Sequence, residues 1–236
     1  MWDKLTAGLA GAPCLPKPSE KALRDVRRRL GPAPLKALFE VVAGPLAQPR
    51  TPGAGTVAFD GLNSLKIPDT DRNRPWAGKI RHRLGLAGYP ALWVMALAET
   101  GTRGLLGATL GSAADRDETG LARRLLPLLG PGMLVLLDRA FDSNAFLAQV
   151  AAIGAVPLAR AMSTRKPLVL AHLPDGSYRS CLDRLHVRII EAEIAMTGAD
   201  GTCIADSYRL ITTLADHRAY PADALIRLYH ERWGAT

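Results

Sequence analysis

Residues 132–161 read GMLVLLDRAFDSNAFLAQVAAIGAVPLARA. The run Leu134 to Leu137 is apolar at every position and stops at Asp138. A strand with no polar alternation is one buried inside a sheet. Ser143 then opens a helical stretch that closes near Gly154, and residues 155–161 form a second buried strand. The same arrangement occurs earlier, where TVAFD ends an apolar run at Asp60. Each aspartate is expected at the rim of a sheet, where ligands of α/β proteins bind. Capping of the following turn is the plainer role for either one alone. Side by side, the two could hold divalent cations, and a pair of cations about 4 Å apart activates water in phosphodiester chemistry. Magnesium, Mg2+, suits such hard oxygen donors.

The 236 residues are 48% hydrophobic, enough for a sizeable core, and carry 30 basic against 22 acidic groups, a net charge of +8. That balance favours DNA as a partner, with an ordinary basic soluble protein as the alternative. Cys14, Cys181 and Cys203 have no metal-ligand spacing and make no disulfide framework, which suits a cytoplasmic setting. Arg, Asp or Gly interrupts every apolar stretch before it reaches membrane-spanning length. The first residues do not read as a secretory signal.

Along the chain, residues 1–50 read as a partial helical region. Ser19 is its N-cap and Gly31 a stop, and Arg27, Arg28 and Arg29 lie on the helix between them, as a solvated face or as phosphate contacts. Residues 51–162 read as an α/β core. It starts with the Asp60 strand and a meander turning near Gly101, followed by a helix capped by Asp115. Residues 163–218 are β-patterned, with a hairpin turn at Asp175–Gly176, and are expected as a subdomain outside the main sheet. Residues 219–236 begin a last helix, with Pro221 in its first turn.

Five blocks in order carry a family resemblance: the helical N-terminus, DG…L.IPDT..N from Asp60, LLDRAFDSNAFL, the β-patterned stretch, and YHERW from Tyr229. Together they resemble the bacterial insertion-sequence transposases of the DDE class named after insertion element four. The resemblance implies a ribonuclease-H-like mixed sheet flanked by helices, with a β-rich insertion. It implies Asp60 and Asp138 as catalytic, metal-binding carboxylates and Mg2+ as cofactor. Tyr229 and Arg232 would contact DNA phosphate, Arg through its planar donor fork. DNA, as element ends and target, is the implied partner, with a homo-oligomer possible and no membrane.

The family's third carboxylate falls at position 236, which is Thr236, the last residue. The chain is therefore expected to be a truncated copy that does not cut DNA. The alternatives are a non-catalytic DNA-binding or inhibitory fragment, or a decayed remnant. Glu231 lies about 140° around the helix from that slot and reads as an ordinary exposed charge. Asp142 reads as a cap or a partner of Arg139. Asp69, Asn73 and Gly78 are explained by a turn as well as by the resemblance. Trp76 could stack on bases, whereas Trp93 reads as core. Arg160, Arg165 and Lys166 are candidate DNA-backbone contacts.

Overall fold

A computed structural model describes residues 18–46, 55–82, 85–112, 115, 117–197 and 203–231. The chain divides into two compact units, residues 1–42 and 43–236. In the first, helix α1 (Glu20–Leu30) is capped as its sequence requires. The Ser19 hydroxyl accepts from Ala22 N at 3.1 Å, and Gly31 closes the helix at φ 64°. Arg27, Arg28 and Arg29 fill its last turn, where positive charge is favoured by the helix dipole. Helix α2 (Ala33–Val42) follows, and the second unit contains a short helix α3 (Arg74–Ala77).

The second unit begins earlier than position 51. Gly44 N donates to Leu105 O, and Leu46 N donates to the Glu99 carboxylate, both at 3.0 Å. Glu99 is buried and also accepts from Thr102 Oγ1 at 2.6 Å. These bonds fasten residues 43–46 to the sheet rather than to the helical region.

The sheet is built from β1 (Thr56–Lys66), β2 (Lys79–His82), β3 (Gly85–Glu99), β4 (Leu105–Gly111), β5 (Leu134–Leu137), β6 (Val156–Arg160), β7 (Ala171–His172), β8 (Tyr178–Leu182), β9 (Leu185–Thr197) and β10 (Cys203–Thr212). The strand order is β2-β3-β1-β5-β6-β10-β9-β8-β7, with β4 on β3. Among the described residues, only β5 pairs in parallel, with β1 on one side and β6 on the other; the remaining pairings are antiparallel. The architecture is thus a mixed α/β one, with a large, mostly antiparallel sheet.

Alternation sorts the strand residues onto two cores. On one face, Val57, Phe59, Val135, Leu137 and Ala159 pack with Leu121 and Ala122 of α4 (Glu118–Arg123) and with Phe146, Leu147 and Val150 of α5 (Asn144–Ala152). Phe59, Phe141 and Phe146 meet there with ring centroids 5.6–6.0 Å apart. On the other face, Ala58, Leu136, Leu158, Tyr208 and Leu210 pack with Ala222, Leu225 and Tyr229 of α6 (Ala222–Glu231). Full coverage explains why β5 has no polar position.

Residues 163–218 are β-rich, as expected, but they do not stand outside the main sheet. β10 adds to β6 through Leu210↔Arg160, Ile211↔Ala159 and Thr212↔Leu158, and the strands β9, β8 and β7 continue from it. The unpaired side of β6 presents free backbone groups, and β10 satisfies them. A second difference concerns α4, whose cap is Asp117, accepting from Thr119 N at 3.0 Å, rather than Asp115. Asp115 instead binds Ser112 N at 2.8 Å and Arg124 at 2.6 Å.

Candidate acidic site at the ends of two parallel strands

β1 and β5 pair as Thr56↔Leu134, Val57↔Val135 and Ala58↔Leu136. The pairing ends there; carried two residues further, the same register would bring Asp60 level with Asp138, which lies just beyond the end of β5. Neighbouring strands lie roughly 4.8 Å apart, and level residues of parallel strands share a face. Ala58 and Leu136 belong to the α6 core, and alternation along β1 puts Asp60 on the same side as Ala58.

Their settings differ. Asp60 does not end its strand: β1 runs on to Lys66, paired with β3, and Asp60 marks where β5 stops. Asp138 leaves the sheet and caps a 3-10 turn, Arg139–Phe141, by accepting from Ala140 N at 2.8 Å. Capping spends part of one carboxylate and leaves its remaining lone pairs for other partners. Among the described residues, neither aspartate forms an ion pair with a basic side chain.

Sequence reasoning missed Glu118. Its carboxyl is raised above its ordinary value of 4.5 by burial, then by the charges of Asp138 and Asp60. It stands over Gly61, where an added Cβ would come within 3.3 Å of its Oε1. Gly61 therefore gives Glu118 the room to approach. That approach comes from the α4 side of the sheet, and among the described residues no three His, Cys, Asp or Glu converge on one ion. Only the acidic stretch DRDETG at residues 115–120 could have suggested an acidic group here, and nothing in it marks Glu118 over its neighbours.

Tyr229 is 3% exposed, and its hydroxyl donates to Leu137 O at 3.1 Å. It fixes the carbonyl next to Asp138 from across the sheet face. Its neighbour His230 bonds the Tyr208 hydroxyl through Nε2. Arg232, Trp233 and Thr236 lie outside the described residues. Arg27, Arg28 and Arg29 belong to the first unit and are exposed, with Arg28 at 4.0 Å from Asp25.

Other candidates take structural roles. Asp142 is buried and pairs with Arg165 at 2.7 Å rather than with Arg139, and it also accepts from Met162 N at 2.7 Å. Arg165 further donates to Asn144 at 2.8 Å, so its guanidinium holds the start of α5 against the segment after β6. Asn73 donates to Pro68 O at 2.9 Å, and Asp69 joins Arg74 and Lys79, as a turn requires. The hydrogen bond from Arg74, with that from Lys79, holds the Asp69 carboxyl below its ordinary value. Trp93 packs partly buried against the core, while Trp76 is exposed.

The fold is thus that of a mixed α/β protein with a large, mostly antiparallel sheet. Residues 1–40 match the family model described as the insertion element 4 transposase N-terminal region. That match is confined to the N-terminal region and is to the same family that the five sequence blocks resemble. No curated protein matches the chain. No helix among the described residues is long and apolar enough to cross a membrane.

Proposed function

We propose that the protein acts in DNA transposition, with a ribonuclease-H-like core whose Asp60 and Asp138 form a metal-dependent DNA-cleavage site. The single observation that supports this reading is the parallel register of β1 and β5, whose last pair, Ala58↔Leu136, lies two residues before Asp60 and Asp138. The strand order β4-β3-β1-β5-β6, antiparallel for three strands and then parallel, supports the fold assignment.

The residues fit a divalent cation. Asp60 and Asp138 offer hard oxygen donors, and their charges add to burial in raising the Glu118 carboxyl. When bound, Mg2+ would supply Lewis acidity toward a phosphodiester and lower the pKa of bound water. The chain's own work is positional. Ala140 N orients Asp138, and Tyr229 fixes the strand end that presents it. Arg27, Arg28 and Arg29, with Arg232, are assigned to the DNA backbone, and Tyr229 to holding this end of the site for phosphate. The setting is the cytoplasm, and a homo-oligomer would bring two element ends together.

The test uses duplex DNA carrying the terminal repeats of the element that encodes the chain. The expectation of a chain that binds without cutting rests on Thr236 in the third-carboxylate slot, outside the described residues. On the cleavage reading the result is binding followed by a magnesium-dependent nick at the repeat end, lost in Asp60→Asn and in Asp138→Asn. A nick that survives either substitution would contradict the reading. Binding with no nick at any divalent-cation concentration would leave a non-catalytic DNA-binding protein in its place.

A further inference from the structure

Beyond the ends of β5 and β6 the hairpin of β9 and β10 overhangs. The register Leu134↔Val156 to Leu137↔Ala159 brings Arg160 level with Asp138, and Arg160 in turn lies opposite Leu210. Tyr208 and Ser207, facing Ala192 and Glu193, continue past that line. The overhang walls a cavity of about 820 Å3 lined by Arg139, Arg160, Ser163, Glu193, Tyr208 and Arg209, among others. It begins at Arg139, the residue after Asp138.

The cavity's cations are held in place. The Arg160 guanidinium sits over the Tyr208 ring at 4.8 Å from its centroid. Tyr208 is buried, bonded to His230 and 6.2 Å from the Tyr229 ring. Tyr229 holds Leu137 O. One chain of contacts thus ties Arg160 to the strand end carrying Asp138. Arg209 donates to Arg165 O at 2.6 Å, which fixes its fork as well. Its other neighbour, Glu191, lies 4.0 Å away and also accepts from Tyr178, so part of the groove's acidic charge is engaged at its wall. Arg139 is exposed at the mouth. A stacked, preformed guanidinium recognises phosphate better than a mobile ammonium does.

We infer that this groove is a phosphodiester-binding track for a DNA strand passing Asp138, with Arg160 and Arg139 as its phosphate ligands. The inference rests on the DNA reading above and adds to it where the strand runs. A strand gripped here would have the phosphate next to Arg139 delivered to the acidic pair.

The experiment is a salt titration of binding to a fluorescent single-stranded DNA oligonucleotide, using the full chain. Wild type is compared with Arg139→Gln/Arg160→Gln and with Arg179→Gln/Arg184→Gln. The second pair removes the same charge from exposed positions outside the groove. Counterion release gives a slope of about 0.7 per phosphate contact on single strands, so the groove variant should lose roughly 1.4 from its log–log slope. The control pair should lose markedly less. Arg139→Gln alone, at an exposed turn that leaves the core untouched, should lose about 0.7. Equal slopes for the wild type and the groove variants would overturn the inference while leaving DNA binding intact. Equal losses in both double variants would reduce the effect to net charge and overturn it too. No binding by wild type at low salt would overturn both the inference and the reading beneath it.

Discussion

Arg188 is fully buried, yet each of its donors has a destination. Nε donates to Ser177 at 2.8 Å, one terminal nitrogen to Tyr220 O at 2.7 Å, and the other pairs with Asp175. Asp175 also accepts from Ala222 N at 3.2 Å, at the start of α6. Burial works to raise the Asp175 carboxyl, but hydrogen bonds from Ser177, the Arg188 charge and the Ala222 N–H together hold it below 3.8. Removing one partner strands a buried charge, so Asp175→Ala should cost about 3–5 kcal/mol in denaturant unfolding at neutral pH. A carboxyl lowered on folding stabilises above its unfolded pKa and loses that contribution as pH falls through the folded one. The gap between wild type and Asp175→Ala should therefore narrow as the pH drops below 3.8. A gap that stays constant into acid would show that the ion pair contributes nothing. At this scale the sequence was partly legible. Asp60 and Asp138 stood out because each closed an apolar run. Glu118, Arg188 and the burial of Tyr229 did not, because each depends on a partner distant in the chain.

At the scale of elements, periodicity placed β1, β5, β6, α5 and the Asp175–Gly176 turn, since each has a local pattern or a cap. It did not place the β9–β10 hairpin within the main sheet. A strand's alternation says which face is buried but not which edge it joins, and β6 could have been an edge. Helix α6 depends on this same nonlocal packing. Tyr229→Phe keeps the ring but removes the hydroxyl's hydrogen bond to Leu137 O, so it should cost about 0.5–1.5 kcal/mol. Unchanged stability would show that the bond to Leu137 does not hold the helix. On the opposite face, Phe146 is fully buried against Phe59 and Phe141 beneath the Asp138 turn. Phe146→Ala should cost about 3–5 kcal/mol by cavity formation. A loss under 1 kcal/mol, read by thermal or urea unfolding, would contradict the packing described.

At the scale of the molecule, the sheet aligns two kinds of chemistry along one line. Acidic groups stand at the ends of the β1 and β5 ladder, and guanidinium groups stand next to them beyond β6. That order suits cutting one strand of a polyanion, with its backbone held beside the cation that acts on it. The N-terminal region adds a basic helix turn of its own. The central claim is that Asp60 and Asp138 together hold a divalent cation, and manganese binding followed by electron paramagnetic resonance tests it without requiring turnover. Wild type should show a saturable Mn2+ site that magnesium displaces, and Asp60→Asn/Asp138→Asn, still folded by circular dichroism, should lose it. The same stoichiometry and affinity in the double variant would contradict the account.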